Sequence, residues 1–180
     1  MTLRITFDLE DQDLKYFRNQ MLRARKLAKE AAEPAVIAKT KELLASVREH
    51  KKVPAFVGER LEKVDRLIEM LEDKEWALEA QERKNVTTAL SYFNDPEDII
   101  PDNIPVLGLI DDAIMIELVV RELKPEIDAY NDFCDYRKTA PAASRDEWLE
   151  AKRRALFARM RRRRQGLGGR RSGRPRFRLF

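Results

Sequence analysis

Hydrophobic residues recur every three to four positions along most of the chain, the spacing that places them on one face of a helix. This pattern predicts an all-α fold, a bundle of about five to six helices. Prolines, glycines and polar stretches divide it, and the predicted helices cover about 8–30, 35–50, 54–72, 75–93, 107–136 and 144 up to the glycines that start at Gly166. Leu3, Ile5 and Phe7 alternate with polar residues, but no strand pattern continues beyond them.

Several helix boundaries follow from the chemistry of single residues. Pro34 and Pro54 stand where a helix would begin, in the first turn, which tolerates the missing N–H of proline. Ser144, followed three residues later by Glu147, forms a capping box that opens the last helix. This last helix carries Trp148, Leu149, Leu156 and Met160 on one side.

The segment from Leu90 to Val120 departs from this helical pattern. It contains Pro96, Pro101 and Pro105, and each proline fixes its own φ, lacks an N–H and pushes the preceding residue out of the α region. At least two breaks must follow. We therefore expect a bent connection between two apolar helices, a helical hairpin bent at its prolines.

Within this segment, carboxylates, prolines and a glycine recur at fixed spacings, at Asp95, Pro96, Asp98, Pro101, Asp102, Pro105, Gly108, Asp111 and Asp112. This arrangement, over about residues 89–120, resembles the signature of the YkvA family, small bacterial proteins built around a domain of unknown function. The resemblance implies the bent hairpin, and family members are often predicted to touch or enter membranes. Here Glu97 and Asn103 replace residues that are usually apolar, and the run from Ile104 to Val120 is shorter than the roughly 20 apolar residues of a spanning helix. We therefore expect a soluble protein.

Four carboxylates of this segment are candidates for a metal site: Asp98, Asp102, Asp111 and Asp112. Mg²⁺ and Ca²⁺ take oxygen ligands from carboxylates, which a bend and the adjoining helix can supply together. Helix capping and internal ion pairs with Arg121, Lys124 or Lys84 explain the same residues without a metal, and acidic helix starts are common. We favour this structural interpretation, and no other cofactor is predicted.

Enzymatic activity has little support in the sequence. The single histidine, His50, lies in a basic stretch, and together with the single cysteine, Cys134, it cannot assemble a zinc site. No glycine-rich phosphate loop followed by Lys-Ser or Lys-Thr occurs. One cysteine also excludes an internal disulfide framework and is compatible with a reducing compartment.

The net charge of +4 hides an uneven distribution. Residues 152–180 hold 13 Lys and Arg and no Asp or Glu, whereas the remaining 151 residues, with 23 basic and 32 acidic side chains, carry a formal −9. The chain therefore divides into a helical domain, 1–164, and a flexible Arg- and Gly-rich tail, 165–180. The predicted polyanion-binding residues are Arg161, Arg162, Arg163, Arg164, Arg170, Arg171, Arg174, Arg176 and Arg178.

A flexible polycation that also carries Phe177 and Phe180 suits phosphate backbones and unstacked bases, so RNA or the ribosome is the natural partner. Anionic lipid headgroups would satisfy the same charges, with Phe177, Leu179 and Phe180 inserted at the interface. A third possibility is intramolecular, with the basic tail folded back on the acidic body.

These features favour a non-enzymatic, cytoplasmic adaptor or binding protein whose basic tail contacts polyanions. One alternative is a peripheral membrane protein at the inner face of the membrane. Another is a metal-dependent enzyme that uses the Asp cluster. The oligomeric state and any protein partner stay open.

Overall fold

A computed structural model describes residues 9–27, 32–49, 53–94, 110–140 and 145–168. These residues form seven α-helices and one 3-10 helix, and no strand occurs among them. The elements are α1 (Asp11–Leu27), α2 (Glu33–Glu49), α3 (Ala55–Glu72), α4 (Ala80–Leu90), the 3-10 helix (Ser91–Asn94), α5 (Ile110–Glu122), α6 (Lys124–Thr139) and α7 (Arg145–Gly168). The predicted all-α fold is confirmed.

The first three helices begin close to their predicted positions. The backbone N–H of Glu10 donates to Oδ2 of Asp13 at 2.8 Å, which is one arm of a capping box at the start of α1. Pro34 is the second residue of α2, and Pro54 immediately precedes α3. Both prolines therefore stand where a helix needs no N–H, as their positions in the sequence predicted.

The helix predicted over 75–93 begins later than expected, at Ala80. Oδ1 of Asp73 accepts the backbone N–H groups of Glu75, at 2.9 Å, and of Trp76, at 3.0 Å, and holds this segment in a turn. Ala77 follows with a φ of 44°, a left-handed conformation that cannot continue a right-handed helix. The turn sends the Trp76 side chain into the core, where it is completely buried. The predicted start is wrong because tertiary packing of this residue outweighs helix propensity.

The single helix predicted over 107–136 is two helices in the structure, and residues 107–109 lie outside the described part. α5 ends at Glu122, α6 begins at Lys124, and Leu123 between them has φ −95° and ψ 10°. Pro125 explains the break, because its ring would clash with the preceding turn of a continuous helix and its N–H is missing. It is tolerated in the first turn of α6. This break gives seven described helices where five to six were predicted.

α7 carries the basic end of the described chain. Leu149, Leu156, Phe157 and Met160 are buried. Trp148, which the sequence pattern placed on the same side of the helix, is 50% exposed. It precedes Leu149 by one residue and therefore points about 100° away from it on the helix. α7 continues past Gly166 to Gly168, beyond the predicted end of the helical domain at residue 164.

The core that positions α7 is centred on Trp76. Its ring centroid lies 4.6 Å from that of Phe157, 5.1 Å from that of Phe133 and 5.8 Å from that of Tyr130. Phe133 and Tyr130 belong to α6 and Phe157 belongs to α7, so both helices pack on the turn after α3. This packing turns one side of α7 toward α6 and toward the start of α4.

Candidate functional site

The predicted metal site lies mostly outside the described residues. Asp98 and Asp102 fall between the 3-10 helix and α5, as do the other motif residues Asp95, Pro96, Pro101, Pro105 and Gly108. Asp111 and Asp112 belong to the first turn of α5, but their side chains are not among those described. In the described part of the chain, no group of three or more His, Cys, Asp or Glu side chains is placed to hold a metal ion. The metal site stays a prediction.

The predicted polyanion-binding arginines are partly described. Arg170, Arg171, Arg174, Arg176 and Arg178 lie beyond the last described residue, Gly168, whereas Arg161 to Arg164 occupy the last turns of α7.

Three of these four arginines pair with carboxylates of the helical body. Nε of Arg161 donates to Oε1 of Glu82 at 2.8 Å, and the same guanidinium pairs with Glu79. Nη1 of Arg163 lies 3.5 Å from Oδ2 of Asp128, and Arg164 pairs with Glu126. Arg162 is exposed and has no carboxylate partner among the described residues.

The carboxylates come from two elements that face α7. Glu79 and Glu82 lie at the start of α4, and Glu126 and Asp128 lie in the first turns of α6. Asp132, further along α6, pairs with Arg159. We call Glu79, Glu82, Glu126, Asp128 and Asp132 the acidic face.

Burial differs sharply within the acidic face. The side chain of Glu126 is completely buried and that of Glu82 is 7% exposed, whereas those of Glu79 and Asp128 are 55% and 32% exposed. A buried carboxylate is costly unless a cation compensates it. Arg161 and Arg164 supply these cations, and the hydrogen bonds to Glu82 and Glu79 raise the pKa of Arg161 above its ordinary value. The acidic face therefore holds the end of α7 in place.

A second charged cluster forms around Asp73 at the other end of α7. Oδ2 of Asp73 accepts the Tyr130 hydroxyl at 3.0 Å and Nη1 of Arg137 at 2.8 Å. Arg137 also donates to Glu75 at 2.9 Å, and Glu75 pairs with Arg145, the first residue of α7, at 2.8 Å. The cluster thereby ties the start of α7 to α6 and to the turn after α3.

The pKa shifts in this cluster keep its groups in their usual charge states. Burial alone would raise the pKa of Asp73, but hydrogen bonds from the Trp76 backbone, Tyr130 and Arg137 outweigh it and lower the pKa below its ordinary value. Burial, with the nearby Cys134 and Asp73, raises the pKa of Tyr130 well above its ordinary range. A tyrosine that keeps its proton and an aspartate that stays ionised do not form an acid and base pair poised near neutral pH. The cluster has the properties of a structural tie.

A third cluster joins α3 to α5. Glu117 accepts Nε of Arg121 at 3.1 Å, and its other oxygen lies 3.6 Å from both Arg60 and Lys63. Burial alone would raise the pKa of Glu117, but the hydrogen bond from Arg121 and the charges of Lys63 and Arg60 outweigh it and lower the pKa. Lys124 pairs with Asp128 at 3.0 Å. Arg121 and Lys124, considered as partners for the Asp cluster, thus have carboxylate partners on their own helices.

The comparisons with known proteins identify one segment. Residues 86–118 match the model of a family described as "Protein of unknown function (DUF1232)". The match runs from the second half of α4 through the proline-rich segment into α5 and includes Glu117, and it confirms the recognition of an unknown-function domain at about residues 89–120. Searches of curated proteins and of solved structures found no match to the chain. None of the described helices combines the length and apolar content that crossing a membrane needs.

The acidic face is not recognisable from the sequence alone. The formal −9 of the body indicated that carboxylates could receive the basic end of the chain, but it did not say which ones. Glu79 and Glu82 are three residues apart, as neighbours on one helical face are, and this spacing was the available signal. Glu126 gave none, because an acidic residue in the first turn of a helix is ordinary.

Proposed function

We propose that the protein is a non-enzymatic binding protein whose Arg-rich C-terminal segment contacts single-stranded RNA, free or in the ribosome. The proposal rests on one observation about charge. Arg161, Arg163 and Arg164 have carboxylate partners on the body, whereas the five arginines after Gly168 are accompanied by no acidic residue. These five cations are in excess, and they follow a helix that the acidic face anchors to the body.

The chemistry of the segment suits this ligand. Each arginine presents a planar fork of N–H donors that matches phosphate oxygens. Phe177 and Phe180 add aromatic rings on which unstacked bases can stack. Neutralising several phosphates releases counterions, so binding should weaken steeply as salt rises.

The ionic clusters around Asp73 and Glu117 do not favour an enzymatic function over binding. Each consists of ion pairs and hydrogen bonds that hold its groups in their ordinary charge states. Cys134 is buried, and its side-chain hydrogen-bond partners among the described residues are the guanidinium of Arg137, at 3.7 Å, and the hydroxyl of Tyr130. A nucleophile activated by a neighbouring base would have favoured an enzyme.

The test compares two variants with the same loss of positive charge. In the tail variant, glutamine replaces Arg170, Arg171, Arg174, Arg176 and Arg178. In the control variant, glutamine replaces five exposed cations of the helical body, which have no partner among the described residues: Lys15, Arg18, Lys26, Lys39 and Lys74. Equilibrium binding to a single-stranded RNA and to anionic phospholipid vesicles is measured at low salt.

We expect the tail variant to bind RNA at least about tenfold more weakly than the wild type, because the phosphates that the tail arginines neutralise dominate the affinity. The affinity of the control variant should fall much less. Equal losses in the two variants would contradict the proposal, since net charge alone would then explain binding. Vesicle binding without RNA binding by the wild type would favour the peripheral membrane alternative.

A further inference from the structure

The carboxylates that receive the end of α7 are of two kinds. Glu82 and Glu126 are buried, and the cations opposite them cannot be withdrawn without leaving a buried charge uncompensated. Glu79 is exposed and Asp128 is partly exposed, and ion pairs accessible to solvent contribute little to stability. The buried pairs therefore fix the helix, whereas the more accessible carboxylates hold the side chains of Arg161 and Arg163 and, through Asp128, that of Lys124.

We infer that Arg161, Arg162 and Arg163 form a second polyanion-binding surface on α7, and that Glu79 and Asp128 partly cover it. This inference rests on the proposed function and adds a structured surface, with its own internal competitor, next to the C-terminal segment. Arg162 can contact a phosphate directly because it has no carboxylate partner among the described residues. Arg161 and Arg163 become available when a phosphate replaces the exposed carboxylate.

The exchange is chemically reasonable because guanidinium binds carboxylate and phosphate through the same fork of N–H donors. Side chains of Arg161 and Arg163 are 46% and 52% exposed, so a phosphate can approach them without unfolding α7. Binding to a nucleic acid also releases its condensed counterions, a gain that an intramolecular carboxylate does not provide. A dense polyanion therefore competes with Glu79 and Asp128 for these guanidinium groups better than an isolated anion does, and it engages both groups fully only when the two carboxylates are neutralised.

The packing of α7 limits the exchange to side chains. Leu149, Leu156, Phe157 and Met160 are buried beneath the helix, and Arg164 pairs with the buried Glu126. Arg161 can leave Glu79 while it keeps its hydrogen bond to Glu82. The internal competitor thus lowers the affinity for RNA without any change of fold.

The experiment removes the competitor in the full chain. Glu79→Gln with Asp128→Asn neutralises the two more accessible carboxylates and leaves Glu82 and Glu126 in place. Because Asp128→Asn also releases Lys124, the variant carries Lys124→Gln as well when its slope is compared. The matched control, Asp65→Asn with Glu72→Gln, removes the same two charges from exposed pairs with Arg48 and Lys41, on α2 and α3. Affinity for single-stranded RNA is measured over a series of salt concentrations, and circular dichroism checks the helical content of each form.

We expect the E79Q/D128N form to bind RNA about tenfold more tightly than the wild type at low salt, with a slope of log Kobs against log salt that is steeper by about 1.4, the value for two further phosphates on a single strand. The control should keep the wild-type slope. Equal changes in both double variants, or an unchanged slope in E79Q/D128N, would overturn the inference while leaving the proposed function intact. If the wild type binds no RNA and E79Q/D128N does, the covered surface stands and the proposed role of the tail fails. If neither form binds, both fail.

Discussion

Arg164, near the end of α7, forms an ion pair with Glu126, whose side chain is completely buried in the first turn of α6. The side chain of Arg164 is itself 33% exposed, so the pair lies at the edge of the core. It joins the most basic stretch of the described chain to the acidic face. The stability of this junction can be measured separately from any binding.

Replacing Arg164 with Ala should destabilise the fold by about 3 kcal/mol, because Glu126 would stay buried without a counter-charge. The control is Arg162→Ala, two residues earlier on the same helix, which removes an exposed cation and should change the free energy of unfolding by less than about 0.5 kcal/mol. Urea unfolding of both variants gives these values. Equal effects of the two replacements would show that the buried pair contributes nothing specific.

Asp73 should make stability depend on pH. Its pKa is lowered in the folded state, so its contribution is complete above the ordinary aspartate pKa of about 3.9 and is lost as the pH falls through the lower folded value. We expect Asp73→Asn to lower the free energy of unfolding by about 1 to 3 kcal/mol at pH 7, because the substitution removes hydrogen bonds to a charged group. The cost should shrink in urea unfolding at pH 3. A cost that does not change with pH would refute this role of the Asp73 charge.

The two tryptophans should differ sharply when truncated. Trp76 is completely buried between Phe133, Tyr130 and Phe157, so Trp76→Ala should cost about 3 to 5 kcal/mol. Trp148 is 50% exposed, and Trp148→Ala should cost less than about 0.5 kcal/mol. Thermal or urea unfolding of the two variants makes the comparison. A large loss for Trp148→Ala, or a small one for Trp76→Ala, would contradict the assignment of Trp76 to the core.

Sequence periodicity and helix-start chemistry predicted most of the helices, because prolines such as Pro34 and Pro54 act locally. The late start of α4 could not be predicted in this way, since it depends on the burial of Trp76 among side chains from α6 and α7. Pro125 indicates a break between α5 and α6. A single helix was predicted there because hydrophobic residues keep their helical spacing on both sides of this proline.

The candidate site was predictable only in outline. An acidic body and a basic end of the chain are properties of composition, and both were evident from the sequence. The pairing of Arg161 with Glu79 joins residues 82 positions apart, and only the packing of α7 on its neighbours determines it. Burial of Glu82 and Glu126 follows from the same packing.

The predicted metal site leads to a separate test. If Asp98, Asp102, Asp111 and Asp112 cap helices or form ion pairs, millimolar Mg²⁺ or Ca²⁺ should leave the melting temperature unchanged, because a ligand stabilises a protein only when it binds the folded state. Thermal melting with and without each ion makes the test. A rise in Tm that disappears in the Asp98→Asn, Asp102→Asn double variant would instead establish a cation site.

The central claim is that the arginines after Gly168 carry the affinity for polyanions. The salt dependence of binding tests it most directly, because the slope of log Kobs against log salt reports how many phosphates are neutralised. For the wild type and a single-stranded RNA we expect a slope of about −3.5 or steeper, from five arginines at about 0.7 each. The slope should be shallower, about −1, in the variant with glutamine at Arg170, Arg171, Arg174, Arg176 and Arg178. The same slope in both proteins would contradict the account.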